Sequence, residues 1–198
     1  MRTVIVDLDG THYRGNTLHD YLRCALKVRL RHLDPRAASI LLQYLLRGLR
    51  LISHAKFKEK ALRAAVSNEA LEDFAARATG KINLALKDLL DNERRAGSLV
   101  ILASAAPEFY IPLLWDGEFT GSQFSPETGL EECRGERKLE KVNELLKNKG
   151  ASGIDLAISD HLDDLPLMRA ARERILVSPG RRTVEAMRSE GLDFTLFK

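Results

Sequence analysis

The chain has 198 residues, 44% hydrophobic and 30% charged, which fits a folded water-soluble protein of one medium domain or of a core with a smaller insertion. A net charge of +3 and a pI near 8.9 are too mildly basic to point to nucleic acid, and no charge-free apolar stretch approaches the roughly 20 residues of a bilayer span. Cys24 and Cys133 offer neither a disulfide framework nor a metal-ligand spacing, and a strand-like run from Thr3 leaves no room for a signal peptide, so a reducing, cytoplasmic setting is expected.

In chain order, "TVIVD" (3–7) is a short β-rich apolar run suited to a buried parallel strand. Asp7 and Asp9 follow, two apart, with Gly10 and Thr11 behind them. Strand periodicity aims both acids the same way, and two carboxylates that close repel unless a cation or a shared proton lies between them. A helix is then predicted from Thr17, with Asp20 three residues on forming a near capping box and Leu22, Leu26, Leu30 and Leu33 at helical spacing. Further helices are predicted over about 37–52, with Arg47 and Arg50 on its polar side, over 55–66, from a Ser67 cap to Gly80, and through Ile82, Leu86 and Leu89 to Gly97. Charge is uneven here. Residues 20–64 hold eleven Lys and Arg against three acids, so the rest of the chain is net acidic.

The pattern changes at "SLVILAS" (98–104). Strands are predicted at 99–103, 154–158, 174–178 and 194–197, with helices from Pro107, from about 164 and from about 181. Alternation of this kind implies an α/β protein with a doubly wound parallel sheet. Residues 1–14 and 98–198 would form the core domain and residues 15–97 an inserted all-α cap domain. Ligands of open α/β sheets bind at the carboxyl ends of the strands, where Asp7, Asp9, Ser104 and Asp160 all fall. Ser104, ahead of Pro107 and Glu108 at an expected helix start, offers a hydroxyl beside free N–H groups. Lys138 lies in the first turn of a helix within 133–146, an unfavourable place for a cation unless an anion faces it. Asp160, Asp163 and Asp164 crowd the loop after a strand, and a hard cation with oxygen ligands, Mg²⁺ above all, would offset that crowding. The five histidines read as surface groups, and His161 lacks metal-site spacing to any other.

These four pieces, in this order, resemble the haloacid dehalogenase (HAD) superfamily of phosphohydrolases, and in particular its phosphoserine phosphatase-like branch with a helical cap after the first motif. The resemblance implies an α/β Rossmann-like core and a Mg²⁺-dependent phosphatase acting on a small phosphorylated substrate through an aspartyl-phosphate. It implies Asp7 as nucleophile and Asp9 as general acid/base. Gly10, Thr11, Ser104, Ala105 and Lys138 would bind phosphate. Asp7, the carbonyl of Asp9, Asp160 and Asp164 would hold the metal, with Asp163 as a further carboxylate that could join them. Two positions depart from the branch: Ser159 stands where Gly is usual, and Asp163 stands where Asn is usual and cannot donate a hydrogen bond as an amide does. A phosphotransferase or phosphomutase would keep the same residues, and a non-catalytic binding protein is a further alternative; a dehalogenase would need neither Asp9 nor the acidic loop. The basic cap fits an anionic substrate, and "YLLRGLRLISHAKFK" (44–58) is loosely similar to caps of relatives acting on lipid-like phosphates, so contact with a membrane surface or a lipid phosphate is a further expectation. No nucleic-acid partner is expected. The sequence fixes no oligomeric state.

Overall fold

The computed structural model describes residues 1–197; Lys198, the last residue of the expected core segment, lies outside the described residues. Seven strands form one sheet: β1 (Thr3–Val6), β2 (Leu99–Pro107), β3 (Glu118–Ser125), β4 (Gly129–Glu131), β5 (Ile154–Ser159), β6 (Ala171–Val177) and β7 (Thr195–Phe197). Their order is β4-β3-β2-β1-β5-β6-β7, with every pair parallel except β3 and β4. The first strand of the chain is thus the middle of the sheet. Val4 pairs with Val100 on one side and Leu156 on the other, and all four β1 side chains are buried, as a central parallel strand requires. The α/β, doubly wound expectation holds, with an antiparallel hairpin added at one edge.

Five helices, α1 (Thr17–Arg31), α2 (Arg36–Gly48), α3 (His54–Ala65), α4 (Asn68–Ala78) and α5 (Leu84–Arg95), lie between β1 and β2 in the chain. Three more follow: α6 (Glu136–Asn148), α7 (Leu165–Ala170) and α8 (Arg181–Ser189). Strand alternation divides the core into two clusters. Val4, Val6, Val100 and Leu102 face Leu18, Leu22, Phe57, Leu62, Phe74, Leu86 and Leu90 of the helical block. Ile5, Ile101 and Ala157 face Val142 and Leu146 of α6 with Leu167, Met168 and Met187.

Several local expectations change. Asn16, not Thr17, caps α1: its side chain accepts the His19 N–H. Asp20 instead binds the Tyr13 hydroxyl and Lys81. Leu30 and Leu33 continue the leucine spacing of α1 but are exposed, because the helix ends at Arg31 and Leu33 takes a positive φ. α2 stops at Gly48, so Arg50 lies beyond it, and the solvent face holds leucines rather than arginines. The helix expected from Pro107 is a 3₁₀ turn, Glu108–Leu113; Pro112 inside it has no N–H to give to an α-helix. The β3–β4 hairpin was not expected: "EFTGSQFS" is too polar to read as a buried strand, and it pairs its last residues with β4 at the sheet edge. His12 is buried rather than on the surface, while His32 and His161 are exposed. No helix among the described residues is long and apolar enough to cross a membrane.

Candidate active site

Asp7 continues the Ile5 side of β1 beyond the strand end, and its N–H is held by the Ile158 carbonyl of β5. On α6, Lys138, Val142 and Leu146 recur at a spacing of four and are the buried face of that helix. Two apolar stripes, one on a strand and one on a helix, therefore end side by side in opposite charges. Lys138 Nζ donates to Asp7 Oδ1 at 2.9 Å and lies 2.5 Å from Asp164 Oδ1. All three residues are buried.

The chain turns sharply after Asp7. The N–H groups of Thr11 and Tyr13 return to the Leu8 carbonyl, and that of His12 to Asp7. Gly10 sits in this turn at φ +78°, and a Cβ built on it would stand 2.1 Å from Asp160 Oδ2. Glycine is needed twice over, for the backbone and for the room. Asp9 accepts the N–H of Thr17, the first helical residue of α1, at 2.6 Å, so a free helix N-terminus faces this carboxylate.

The acidic loop after β5 is tied from below. The Ser159 hydroxyl donates to Asp164 Oδ2 at 2.6 Å and accepts the His161 N–H. Ser159 is thus used to aim Asp164, a role open to a hydroxyl and not to glycine. Asp163 is paired with Arg134 at 2.6 Å and with His161 at 3.0 Å. The carboxylate in place of an amide brings an arginine, with its N–H donors, to the same spot.

Across the cleft, Ser104 is buried, at the point where the regular β2–β3 register breaks. Its hydroxyl accepts the Ala106 N–H at 3.0 Å. The Ala105 carbonyl accepts from Lys58 Nζ at 2.5 Å and from the Ser122 hydroxyl at 2.7 Å. Lys58 comes from α3 and is buried, with Glu132 at 3.2 Å as its ion partner.

Together these groups wall a cavity of about 430 Å³. Asp7, Asp9, Gly10, Ser104, Ala105, Lys138, Asp160, Asp163 and Asp164 line it, joined by Gly15, Asn16, Arg47, His54, Lys58, Glu132, Arg134 and His161. Of the residues that the resemblance assigns to catalysis, phosphate or metal, only Thr11 is off the wall; it is fully buried and its hydroxyl donates to Asp160 at 3.4 Å. Arg50, Lys56 and Lys60, grouped with Arg47 and Lys58 in the basic segment, are exposed and do not line the cavity. Glu132 and Arg134 are not among the residues expected from the sequence. Their signal was available, since they flank the buried Cys133 two apart, the same spacing that aligns Asp7 and Asp9.

Burial governs the electrostatics. It pushes the Asp7 carboxyl well above its ordinary range, against the pull of Lys138, and nearby Asp164 and Asp9 push the same way. Burial raises Asp9 to about 6, opposed by the Thr17 hydrogen bond. Asp160 is also raised, chiefly by burial. Burial works against the charge of Lys138, but Asp164 and Asp7 outweigh it and hold its pKa above the ordinary value. At Lys58 burial wins over Glu132 and the pKa falls.

Four carboxylates against one buried ammonium leave this end of the cavity short of positive charge. Among the described residues, no three His, Cys, Asp or Glu side chains close into a ready-made ligand cluster. Mg²⁺ does not need one: it is commonly held by one or two carboxylates, waters and substrate phosphate. The donors here are all oxygen, Asp160 packs against Gly10 beside the Asp7 turn, and Asp164 Oδ1 is buried without a well-aligned hydrogen bond. The residues fit a hard divalent cation.

The family model for haloacid dehalogenase-like hydrolases matches residues 4–169. No curated protein matches the chain in sequence. Among solved structures, a protein of unknown function from Bordetella pertussis Tohama I superposes with TM-score 0.74 at 20% identity, covering 98% of this chain and 97% of that one. A phosphoserine phosphatase, solved as a phospho-aspartyl intermediate analogue, gives 0.67 at 14% identity over 100% and 93%. A phosphoserine phosphohydrolase-like protein from Francisella tularensis subsp. tularensis SCHU S4 gives 0.57 at 17% identity over 100% and 95%. At these identities the likeness is one of fold.

Proposed function

The chain belongs to the haloacid dehalogenase-like hydrolase family, and from that premise we propose that it hydrolyses a small phosphate monoester by way of an aspartyl-phosphate on Asp7. The observation that carries the reading is Lys138, buried and held between Asp7 and Asp164 at the floor of the cavity. A buried ammonium costs several kcal/mol to desolvate. Here it lowers the charge that a phosphoryl dianion would meet on approaching Asp7.

In the first half-reaction, an Asp7 carboxylate oxygen attacks phosphorus in line. The bond from phosphorus to the leaving oxygen breaks, and Asp9 gives that oxygen its proton. In the second, Asp9 takes a proton from water as the water oxygen attacks the phosphorus. The bond to Asp7 then breaks and inorganic phosphate leaves. A carboxyl raised to about 6 is suited to both transfers near neutral pH. Ser104, Ala105 and Lys138 would hold the phosphoryl oxygens, with Gly10 giving close approach. Arg134, steadied by Asp163, supplies donors at the cavity rim. Asp7, Asp160, the Asp9 carbonyl and Asp164 would hold Mg²⁺, with Asp163 at the edge of that set. When bound, the ion would screen the phosphoryl oxygens and polarise the phosphorus.

Residues 15–97 serve as the cap in this reading. The helical block packs on the sheet through one apolar cluster that includes Leu18, Leu22, Leu86 and Leu90, and it shields the reaction from water. Lys58 couples the two parts, reaching from α3 to the Ala105 carbonyl. A cytoplasmic setting accords with two unpaired cysteines.

The test is a panel of phosphate monoesters, phosphoserine included because neighbours of this fold are phosphoserine phosphatases, assayed for phosphate release with Mg²⁺ and with EDTA beside Asp7→Asn. Release by the wild type with Mg²⁺, lost in the other two samples while both stay folded, is the expected result. Equal activity in all three overturns the mechanism, and transfer to an acceptor without free phosphate would make the protein a phosphotransferase.

A further inference from the structure

The solvent face of α2 is the reverse of an ordinary surface helix. Leu41, Leu42, Leu45 and Leu49 fall within an arc of about 100° at 3.6 residues per turn, opposite the buried Ala37, Ile40 and Gln43. Leu51 lies just beyond the helix. The five leucines are between 48% and 66% exposed. A helix apolar on both sides belongs in an interior, yet only one side is covered here.

What covers the other side must also suit the charge. From Pro35 to Lys58 the chain has no acidic residue and carries Arg36, Arg47, Arg50, Lys56 and Lys58. Lys58 is turned inward and Arg36 is paired with Asp34, so Arg47, Arg50 and Lys56 carry the charge of this surface. A second copy docked about a two-fold axis would set this patch against itself. Cations would then face cations, with no acid in the stretch to offset them. An anionic bilayer satisfies both features. Leucine side chains enter the boundary of the acyl chains, and the exposed guanidinium and ammonium groups meet lipid phosphates.

We propose that α2 and the segment after it, through Lys56, dock on an anionic membrane surface. Arg47 belongs both to this helix and to the cavity wall, on the side of the helix away from the leucines. The inference rests on α2 and its charges and not on the reaction at Asp7.

The experiment is flotation of the full chain with phosphatidylcholine vesicles and with vesicles containing about one quarter phosphatidylglycerol. Binding to the anionic vesicles is expected to be roughly tenfold or more above the neutral ones, and to weaken in about 0.5 M salt. The double variant Leu45→Gln, Leu49→Gln should lose roughly tenfold or more in partitioning, with unchanged circular dichroism and unchanged turnover of a soluble phosphate monoester. Leu45→Trp should keep binding, and its emission should shift to the blue on adding anionic vesicles, over the buried Trp115. Absence of flotation with either vesicle, or equal flotation of the double Gln variant, overturns the proposal. So does a dimer, seen by sedimentation, that the Gln substitutions dissociate. Flotation reads no turnover, so its failure leaves the phosphatase reading standing, and an inactive protein that floats leaves the docking standing.

Discussion

Thr17 donates its backbone N–H to Asp9 Oδ1 at 2.6 Å, which joins the first residue of the helical block to the carboxyl proposed to shuttle the proton. No side-chain truncation can remove that donor, but proline can. Asn16 is already extended, as a residue before proline prefers, and the first helical position tolerates proline. Thr17→Pro should fold, lose roughly 10–100-fold in kcat/KM for a charge-assisted bond of about 1.5–3 kcal/mol, and raise the pKa of Asp9 in the pH–rate profile. Thr17→Val keeps the N–H and loses the hydroxyl, which contacts Tyr110 and adds a weaker pull on Asp9. It should lose clearly less than Thr17→Pro, and equal losses in both variants would show that the N–H is not the operative group.

Lys138→Met leaves Asp7 and Asp164 buried without their ammonium. Breaking one side of a buried pair costs about 3–5 kcal/mol, so the melting temperature should fall by roughly 10 °C. Turnover should drop by at least ~10²-fold. A melt and an activity close to wild type would mean that the buried charge is compensated by other groups.

Gly10→Ala places a methyl group on Asp160 and a side chain at positive φ. The backbone conformation alone costs about 1–3 kcal/mol. The carboxylate must move, and the Mg²⁺ concentration for half-maximal activity should rise by roughly tenfold or more. That value is read from a metal titration; an unchanged value would remove Asp160 from the proposed metal set.

His12 gives a pH signature separate from the reaction. Burial lowers its pKa to about 4, its ring lies edge-on to Trp115, and its Nδ1 has no hydrogen-bond partner. The unfolded chain, with an ordinary histidine, takes up this proton first as pH falls. The folded state therefore loses stability between about 6.5 and 4, by about 3 kcal/mol in all, and is unaffected above that window. Urea unfolding across this range should show the loss in the wild type, and His12→Phe should flatten it. Parallel pH curves would place the unpaired proton elsewhere.

Much of the site was legible because its residues lie where chain and sheet agree. Asp7 and Asp160 follow apolar runs that read as buried strands, and the parallel sheet brings those strand ends together; Ser104 lies inside β2, which runs on to Pro107, at the break in its register with β3. Lys138 was legible as a cation in the first turn of a helix, where the dipole opposes it; its place on the buried face with Val142 and Leu146 comes from the fold. The basic helix face was not. Lys58 and its neighbours Lys56 and Lys60 look alike in sequence, and only the packing of α3 over β2 selects the first. The leucines of α2 carry the spacing of a core stripe, yet the core is already filled from the other side by Ile40 and Gln43. His12 reads as a polar loop residue, and only the fold supplies Trp115 to receive it.

The central place of β1 has a consequence for how the molecule is made. Its partners lie at Leu99–Leu102 and Leu156–Ile158, so the strand bearing Asp7 waits for segments synthesised long after it. Loop-closure entropy has to be overcome before those distant pairings give anything back. The helices in between, rich in local contacts, can form first. A chain arrested after α5 would hold a collapsed helical block with an unpaired, largely apolar leading strand, a sticky species that chaperones would recognise. Asp7, the proposed nucleophile, therefore gains its surroundings among the last events of folding.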